Sequence, residues 1–208
     1  LWSKYAPHIA FTRQEEKKGQ KLLRSLGIPE GAKWVCLIVR DSSYLKTKFP
    51  TADFSYHDYR DAEIENYVHA AIALVRRGYY VVRMGEIVKT PIPIKHTHII
   101  DYAGLTCQSA FGDLYLGAKC AFCLGTPTGF MMIPQAFGRP LAMTDFAPIE
   151  YFTTSVDGLI IWKHHLKDGR ELTIQEIVDT GVSLATFAGQ FQRAGVEPGE
   201  IDIVNTHA

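Results

Sequence analysis

The sequence predicts an α/β fold, a Rossmann-like three-layer domain with a mainly parallel sheet between helices. Three observations predict it. A continuous apolar run rich in β-branched residues at 34–39 (WVCLIV) suits a strand covered on both faces, and the runs 79–84 (YYVVRM) and 120–124 (CAFCL) read as further strands. Segments with apolar residues at helical spacing alternate with those runs. No hairpin signal joins the central runs, so crossovers should connect them as parallel strands.

Taken in chain order, 11–26 reads as a helix, with Leu22, Leu23 and Leu26 on one side and a stop at Gly27 and Pro29. After the 34–39 strand, residues 61–77 place Ile64, Tyr67, Val68, Ala71, Ile72 and Val75 at helical spacing, and Gly78 closes that helix. The 79–84 strand follows, then a short strand at 99–102 beyond a proline-broken loop, and a short helix at 108–118. Beyond the 120–124 strand a helix should begin at Phe130, a brief strand occupy 141–143, and one or more helices lie in 173–192. The division is residues 1–30 as an N-terminal helical extension or link to a domain outside this chain, and 31–208 as the Rossmann-like domain with C-terminal helices.

With 208 residues, 47% of them hydrophobic and 12% aromatic, the chain can bury one substantial core. Twenty-two basic residues against 22 acidic ones give no general field for nucleic acid or an anionic membrane, so any anion needs a local cluster. Cys36, Cys107, Cys120 and Cys123 make no disulfide framework. The Cys120/Cys123 pair sits in an apolar run without a second pair or spaced histidines, which favours buried thiols and a reducing, cytoplasmic setting. No stretch is long and apolar enough to span a bilayer, and no leader precedes the domain, leaving at most a peripheral contact with the inner face of a membrane.

The carboxyl ends of parallel strands bind ligands in such sheets, and here they carry polar groups of one kind. Arg40, Asp41, Ser42 and Ser43 follow the first strand, Arg83 and Gly85 end the second, and Thr126, Thr128 and Gly129 follow the fourth. Guanidinium forks match phosphate oxygens, and the helix expected after Gly129 would add free N–H groups, so the set suits a diphosphate. The plain alternative is a tight turn at 125–129, an Arg40–Asp41 ion pair, and an Arg83 that reaches solvent. No paired carboxylates or clustered ligands with metal spacing occur, so neither metal nor cofactor is expected. Asp41, Asp58 and Asp101 are candidates for a general base, Asp41 being nearest the arginine. Residues 56–60 form either an active-site flap or a surface loop whose Asp61 caps the next helix. His96/His98 and His164/His165 read as structural.

The motifs CLIVRDSSYL, HDYRDAEIENY, RGYYVVRMG, IIDYA, DLYLGAKCAFCLGTPTG and FGRPLAMTD, in that order from about Gly27 to Glu176, resemble those of bacterial glycosyltransferases of surface-polysaccharide synthesis. That family is similar to the GT-B glycosyltransferases, whose C-terminal Rossmann-like domain holds the nucleotide-sugar donor. Val39-Arg40-Asp41 is also similar to the arginine motif of fucosyltransferase-like enzymes. The resemblance implies a metal-independent sugar transfer from a nucleotide-diphosphate sugar to a glycan or lipid-linked acceptor. Arg40 would be the first phosphate ligand, Thr126, Thr128 and Gly129 the second contact, and Glu150 a sugar or ribose contact. It also implies an acceptor domain that 208 residues are too few to include. A noncatalytic nucleotide or nucleotide-sugar binding module, or a nucleotide-sugar epimerase, are the alternatives.

Overall fold

The computed structural model describes residues 7–151 and 157–200. Six strands, β1 (Trp34–Ile38), β2 (Tyr80–Met84), β3 (Ile99–Asp101), β4 (Phe122–Gly125), β5 (Leu141–Phe146) and β6 (Gly158–Trp162), form one sheet. Their order is β3-β2-β1-β4-β5-β6, and every neighbouring pair is parallel. The expected three strands therefore stand side by side as β2, β1 and β4, with Cys36 in register with Val82 on one side and Cys123 on the other. Sequential strands flank β1 in both directions, so the order reverses between β1 and β4, where ligands of open α/β sheets bind.

β1 is buried along its whole length, as its unbroken apolar run requires. Its side chains divide by the period of two. Trp34, Cys36 and Ile38 join one core with Leu23, Tyr115 and Leu116, while Leu37 and Val39 join a second with Tyr67, Ala71 and Val81. The first core lies under α1 (Arg13–Ser25) and α4 (Ala110–Lys119), the second under α3 (Val68–Arg76). Helix α1 starts in a capping box between Thr12 and Glu15, and it packs so closely on α4 that a Cβ on Gly19 would lie 2.1 Å from the Tyr115 ring.

Several expectations are corrected. The 61–77 helix is shorter, a 3-10 turn over Ile64–Tyr67 leading into α3, and Asp61 closes the preceding 3-10 helix instead of capping this one. The brief strand at 141–143 runs on through Phe146, past an irregularity in its pairing with β6. The helix after Gly129 is a 3-10 turn, Gly129–Met131, followed by the five residues of α5 (Met132–Ala136), ended at Gly138 in left-handed conformation. So short a stack of peptide dipoles leaves little of the positive end invoked for phosphate binding. Beyond β6 lies a second, antiparallel sheet of β7 (His164–Lys167), β8 (Arg170–Glu171) and β9 (Glu197–Gly199) in the order β8-β7-β9. It is accompanied by α6 (Ile174–Asp179) and α7 (Ala188–Ala194), which share a small core of Leu172, Ile177, Val182, Phe191 and Val196. The remaining helix, α2 (Ser43–Lys48), follows β1 directly. All four cysteines are free thiols, and Cys36, Cys120 and Cys123 are buried, while Cys107 is exposed. Among the described residues no helix is long and apolar enough to cross a membrane.

Candidate functional site

At the switch between β1 and β4 the two strand ends are tied together. Gly125, at φ +139°, has no room for a side chain, since a Cβ there would lie 1.7 Å from the carbonyl oxygen of Ile38. The next residue donates its N–H to that carbonyl at 2.9 Å. The hydroxyl of Thr126, itself fully buried, accepts the backbone N–H of Arg40 at 2.7 Å. The loop after β4 and the residues after β1 are thus adjacent, as expected of two walls of one site.

A third segment crosses this edge. The 3-10 helix Ser55–Arg60 brings its backbone over Arg40, whose guanidinium donates to the His57 carbonyl at 3.2 Å and pairs with the Asp61 carboxylate. Arg60 reaches the other wall, donating from Nη2 to the carbonyl of Pro127 at 3.2 Å. Lys163, buried just after β6, donates from Nζ to the Asp61 carbonyl at 2.7 Å. Tyr59 fixes the segment from behind, with its hydroxyl donating to the Ala185 carbonyl at 3.0 Å and its ring 4.9 Å from that of Phe191.

Three buried polar atoms on these contacting segments have no partner: Nδ1 of His57, Nε of Arg60 and Oγ1 of Thr128. His57 and Arg60 stand at i and i+3 of a 3-10 helix, where side chains eclipse, so both look the same way. Buried polar atoms are nearly always paired in folded proteins, and of the seven without a partner among the described residues three gather at this one sheet edge, which makes it the candidate place for a polar ligand. The electrostatics agree in sign. Burial and then Arg60 and Arg40 lower the pKa of His57, and burial with Arg40 lowers that of Arg60. Burial likewise lowers Lys163. Burial raises Asp61 to about 6, although Arg40 beside it pulls the other way, so its carboxylate is ionised at neutral pH. Arg40 and Arg60 repel one another, which an anionic ligand would relieve, while Asp41, Asp58 and Asp61 stand in the same cluster and offset part of that charge.

The other residues singled out in the sequence are placed differently. Asp41 does not face a ligand: Oδ1 accepts the N–H of Ser43 at 2.8 Å and Oδ2 that of Lys89 at 3.0 Å, which shapes the turn into α2 and leaves no lone base. Ser42 and Ser43 lie in that turn, half-buried, and Ser42 makes no capping bond with its side chain. Arg83 neither reaches solvent nor ends in the site. It is 1% exposed, still within β2, and its Nη1 is spent on the Thr90 carbonyl at 2.7 Å and Asp101 at 3.4 Å. Asp101 also accepts from the N–H of Ile92 at 2.9 Å, so the pair is structural and Asp101 is no free base. Gly85, at φ +146°, accepts from the side chain of Gln108. Thr126 joins the walls and is too buried to touch a ligand, whereas Thr128 and the exposed Gly129 stay at the edge. Glu150 accepts the hydroxyl of Ser183. His165 is buried with Nδ1 on the Lys163 carbonyl, and His96 accepts the N–H of His98, both local roles. Sequence reading did not single out Lys163 and took His57 and Arg60 only as part of a loop. The one signal was the H-x-x-R spacing, meaningful only once the segment is known to be a 3-10 helix.

No protein-family model matches this chain, and no curated protein matches it. Among solved structures, the chain superposes on the glycosyl transferase family 9 from Veillonella parvula DSM 2008 with a TM-score of 0.50 at 13% identity, over 74% of this chain and 42% of that one. It also matches the E. coli ADP-heptose lps heptosyltransferase II, with a TM-score of 0.49 at 16% identity, over 86% of this chain and 54% of that one. The chain thus spans about half the length, or less, of the solved structures it matches. Strand order, parallel pairing and the Veillonella structure agree on one conclusion: this chain has a Rossmann-like α/β fold similar to part of that glycosyl transferase.

Proposed function

We propose that the chain is the donor-binding part of a glycosyltransferase, holding the diphosphate of a nucleotide sugar between Arg60, His57 and Arg40 on one side and the Thr128–Gly129 loop on the other. The observation that carries it is the set of unpartnered buried atoms of His57, Arg60 and Thr128 beside the Arg40 and Arg60 guanidiniums at the β1/β4 switch. In sugar transfer, negative charge grows on the leaving phosphate as its bond to the sugar carbon breaks. Guanidiniums fixed in place by Pro127, His57 and Asp61 would stabilise that charge without reorganising. The acceptor, a glycan or lipid-linked sugar, and the base that deprotonates it are assigned to a second domain, because Asp41 and Asp101 are both occupied by backbone N–H groups. A noncatalytic binding module would use the same site, and the chain's span of 42% of the Veillonella glycosyltransferase keeps that reading in view.

Titration calorimetry with nucleoside diphosphates, without added divalent metal, tests the site. Arg60→Ala removes a charge-assisted contact without leaving a buried carboxylate unpaired, and affinity should fall about 10- to 150-fold. Arg60→Lys should recover only part, since a point charge lacks the fork. Equal affinity of Arg60→Ala and the unaltered protein would remove Arg60 from the site. Transfer of sugar to an acceptor by the full-length protein, but not by the Arg60→Ala variant, would separate the enzyme from the binding module.

A further inference from the structure

We propose that the ring of Phe187, flanked by Tyr56, is the platform on which the base of the bound nucleotide stacks. The proposal rests on the diphosphate reading above and names the part of the ligand that reading leaves unplaced.

Phe187 is one of several exposed apolar side chains of the C-terminal unit, with Ile174, Val178 and Leu184, and it is the one whose ring meets Tyr56 and His57. Ala185 and Phe191 on either side of it are buried at 0% and 1% exposure, whereas Phe187 is 50% exposed. Its backbone is not loose. The carboxamide oxygen of Gln190 accepts the N–H of Thr186 at 2.9 Å and that of Phe187 at 3.0 Å, so one side chain locks the turn that presents the ring. A large apolar ring held rigidly toward solvent has paid its ordering entropy in advance, as a binding surface should.

Its ring neighbours lie on the segment that carries Arg60. The Phe187 ring lies 5.2 Å from Tyr56 and 6.3 Å from His57, the latter nearly parallel at 14°. Tyr56 in turn lies 4.2 Å from His57. The aromatic surface therefore begins at the residue that shares one face of the 3-10 helix with Arg60. A diphosphate on Arg60 and His57 would leave a single ribose between the phosphates and this surface, the spacing at which a nucleotide carries its base. Bases stack on aromatic side chains through their π-faces whatever their edge pattern, so the platform suits a nucleobase of any identity. A sugar ring of the acceptor is the competing occupant, and it would not depend on the nucleotide's base.

The test compares adenosine and uridine diphosphate with inorganic pyrophosphate, which has phosphates and no base, by titration calorimetry. Phe187→Ala should weaken at least one nucleoside diphosphate about 5- to 150-fold and leave pyrophosphate unchanged. Phe187→Tyr should restore the loss, and Phe187→Leu, which keeps apolar bulk without the ring, should not. Thermal melting of each variant checks the fold, and a destabilised Phe187→Ala hands the comparison to Phe187→Leu. An equal loss for pyrophosphate and nucleotide, or no loss for either nucleotide, overturns the platform while the diphosphate site stands. Failure of the unaltered protein to bind all three ligands would overturn the diphosphate reading itself.

Discussion

The backbone N–H of Arg40 donates to the buried hydroxyl of Thr126 at 2.7 Å and, with the Thr126 N–H on the Ile38 carbonyl, ties together the ends of two parallel strands at the switch point of the sheet. Its neighbours follow from it. The Arg40 guanidinium then falls under the 3-10 helix Ser55–Arg60, and the chain after Thr126 turns outward to offer the Pro127 carbonyl to Arg60. Removing the bond would not merely loosen a loop, because it helps set the distance between the two walls of the site.

The two glycines that bracket the 125–129 loop should behave oppositely. Gly125 sits at φ +139° with the Ile38 carbonyl where a Cβ would go, so Gly125→Ala should force the strands apart and cost several kcal/mol, about 3 or more. Gly129 has an ordinary backbone and open space around its Cα, so Gly129→Ala should leave stability within about 0.5 kcal/mol. Chemical denaturation of both variants decides it, and comparable losses at the two positions would mean that strand contact does not explain the glycine at 125.

Why some of this was legible in the sequence, and some not, is a matter of which signals are local. The strands β1, β2 and β4 announce themselves because a strand buried on both faces must be apolar throughout, and their adjacency follows from crossover connections. The end of β4 was misjudged by two residues because Cys120 belongs to the C-cap of α4. The antiparallel sheet escaped since β7, β8 and β9 run only four, two and three residues, too short for any periodicity. One signal was present there: Asp168-Gly169, both left-handed at φ 53° and 73°, make the two-residue turn between β7 and β8 that this dipeptide favours. Arg40 could be read because it stands just beyond a strand. Arg83 looked equivalent, but it lies within β2 in register with Asp101 of β3, and strand ends cannot be placed to one residue from sequence. His57 and Arg60 owe their place to contacts with Arg40 and Pro127, which are distant in sequence and leave no pattern in it.

Acid should tighten binding of an anionic ligand. Asp61 faces Arg40, Asp58, Asp41 and Lys163, and its carboxyl, raised to about 6, takes up a proton as pH falls through that value and releases its hold on Arg40. His57 faces Arg60, Arg40 and Asp58, and its lowered pKa rises when an anion arrives, so binding takes up a proton there too. On stability the two oppose. The raised Asp61 favours the folded state below about 6 and loses that advantage as pH rises through it, whereas the lowered His57 costs stability as pH falls below its unfolded value. Affinity, by contrast, gains from both. A nucleotide sugar, whose esterified diphosphate keeps its charge, should bind roughly tenfold more tightly at pH 5.5 than at 7.5. Asp61→Asn and His57→Gln should each flatten the profile. A flat profile in the unaltered protein, or an undiminished slope in both variants, would show that neither group is coupled to the ligand.

Arg83 and Arg60 offer a direct contrast between an arginine that holds the sheet and one placed in the proposed diphosphate site. The guanidinium of Arg83 is 1% exposed and bridges the Thr90 carbonyl to Asp101, so Arg83→Met strips a buried carboxylate of its cation while keeping much of the side-chain volume. Breaking a buried pair this way costs about 3 to 5 kcal/mol, and the lower end applies because Asp101 is itself partly exposed and keeps the N–H of Ile92. Nucleotide affinity, measured on the fraction still folded, should be unchanged, since the Arg83 guanidinium is engaged by Thr90 and Asp101. Arg60→Ala should do the reverse, lowering affinity with little change in melting temperature, because among the described residues its one hydrogen bond is to the Pro127 carbonyl and no buried carboxylate loses its cation. If Arg83→Met instead weakened nucleotide binding at full stability, the diphosphate would have to lie over β2 and not at the switch point, and the site would need to be redrawn around Arg83 and Lys89.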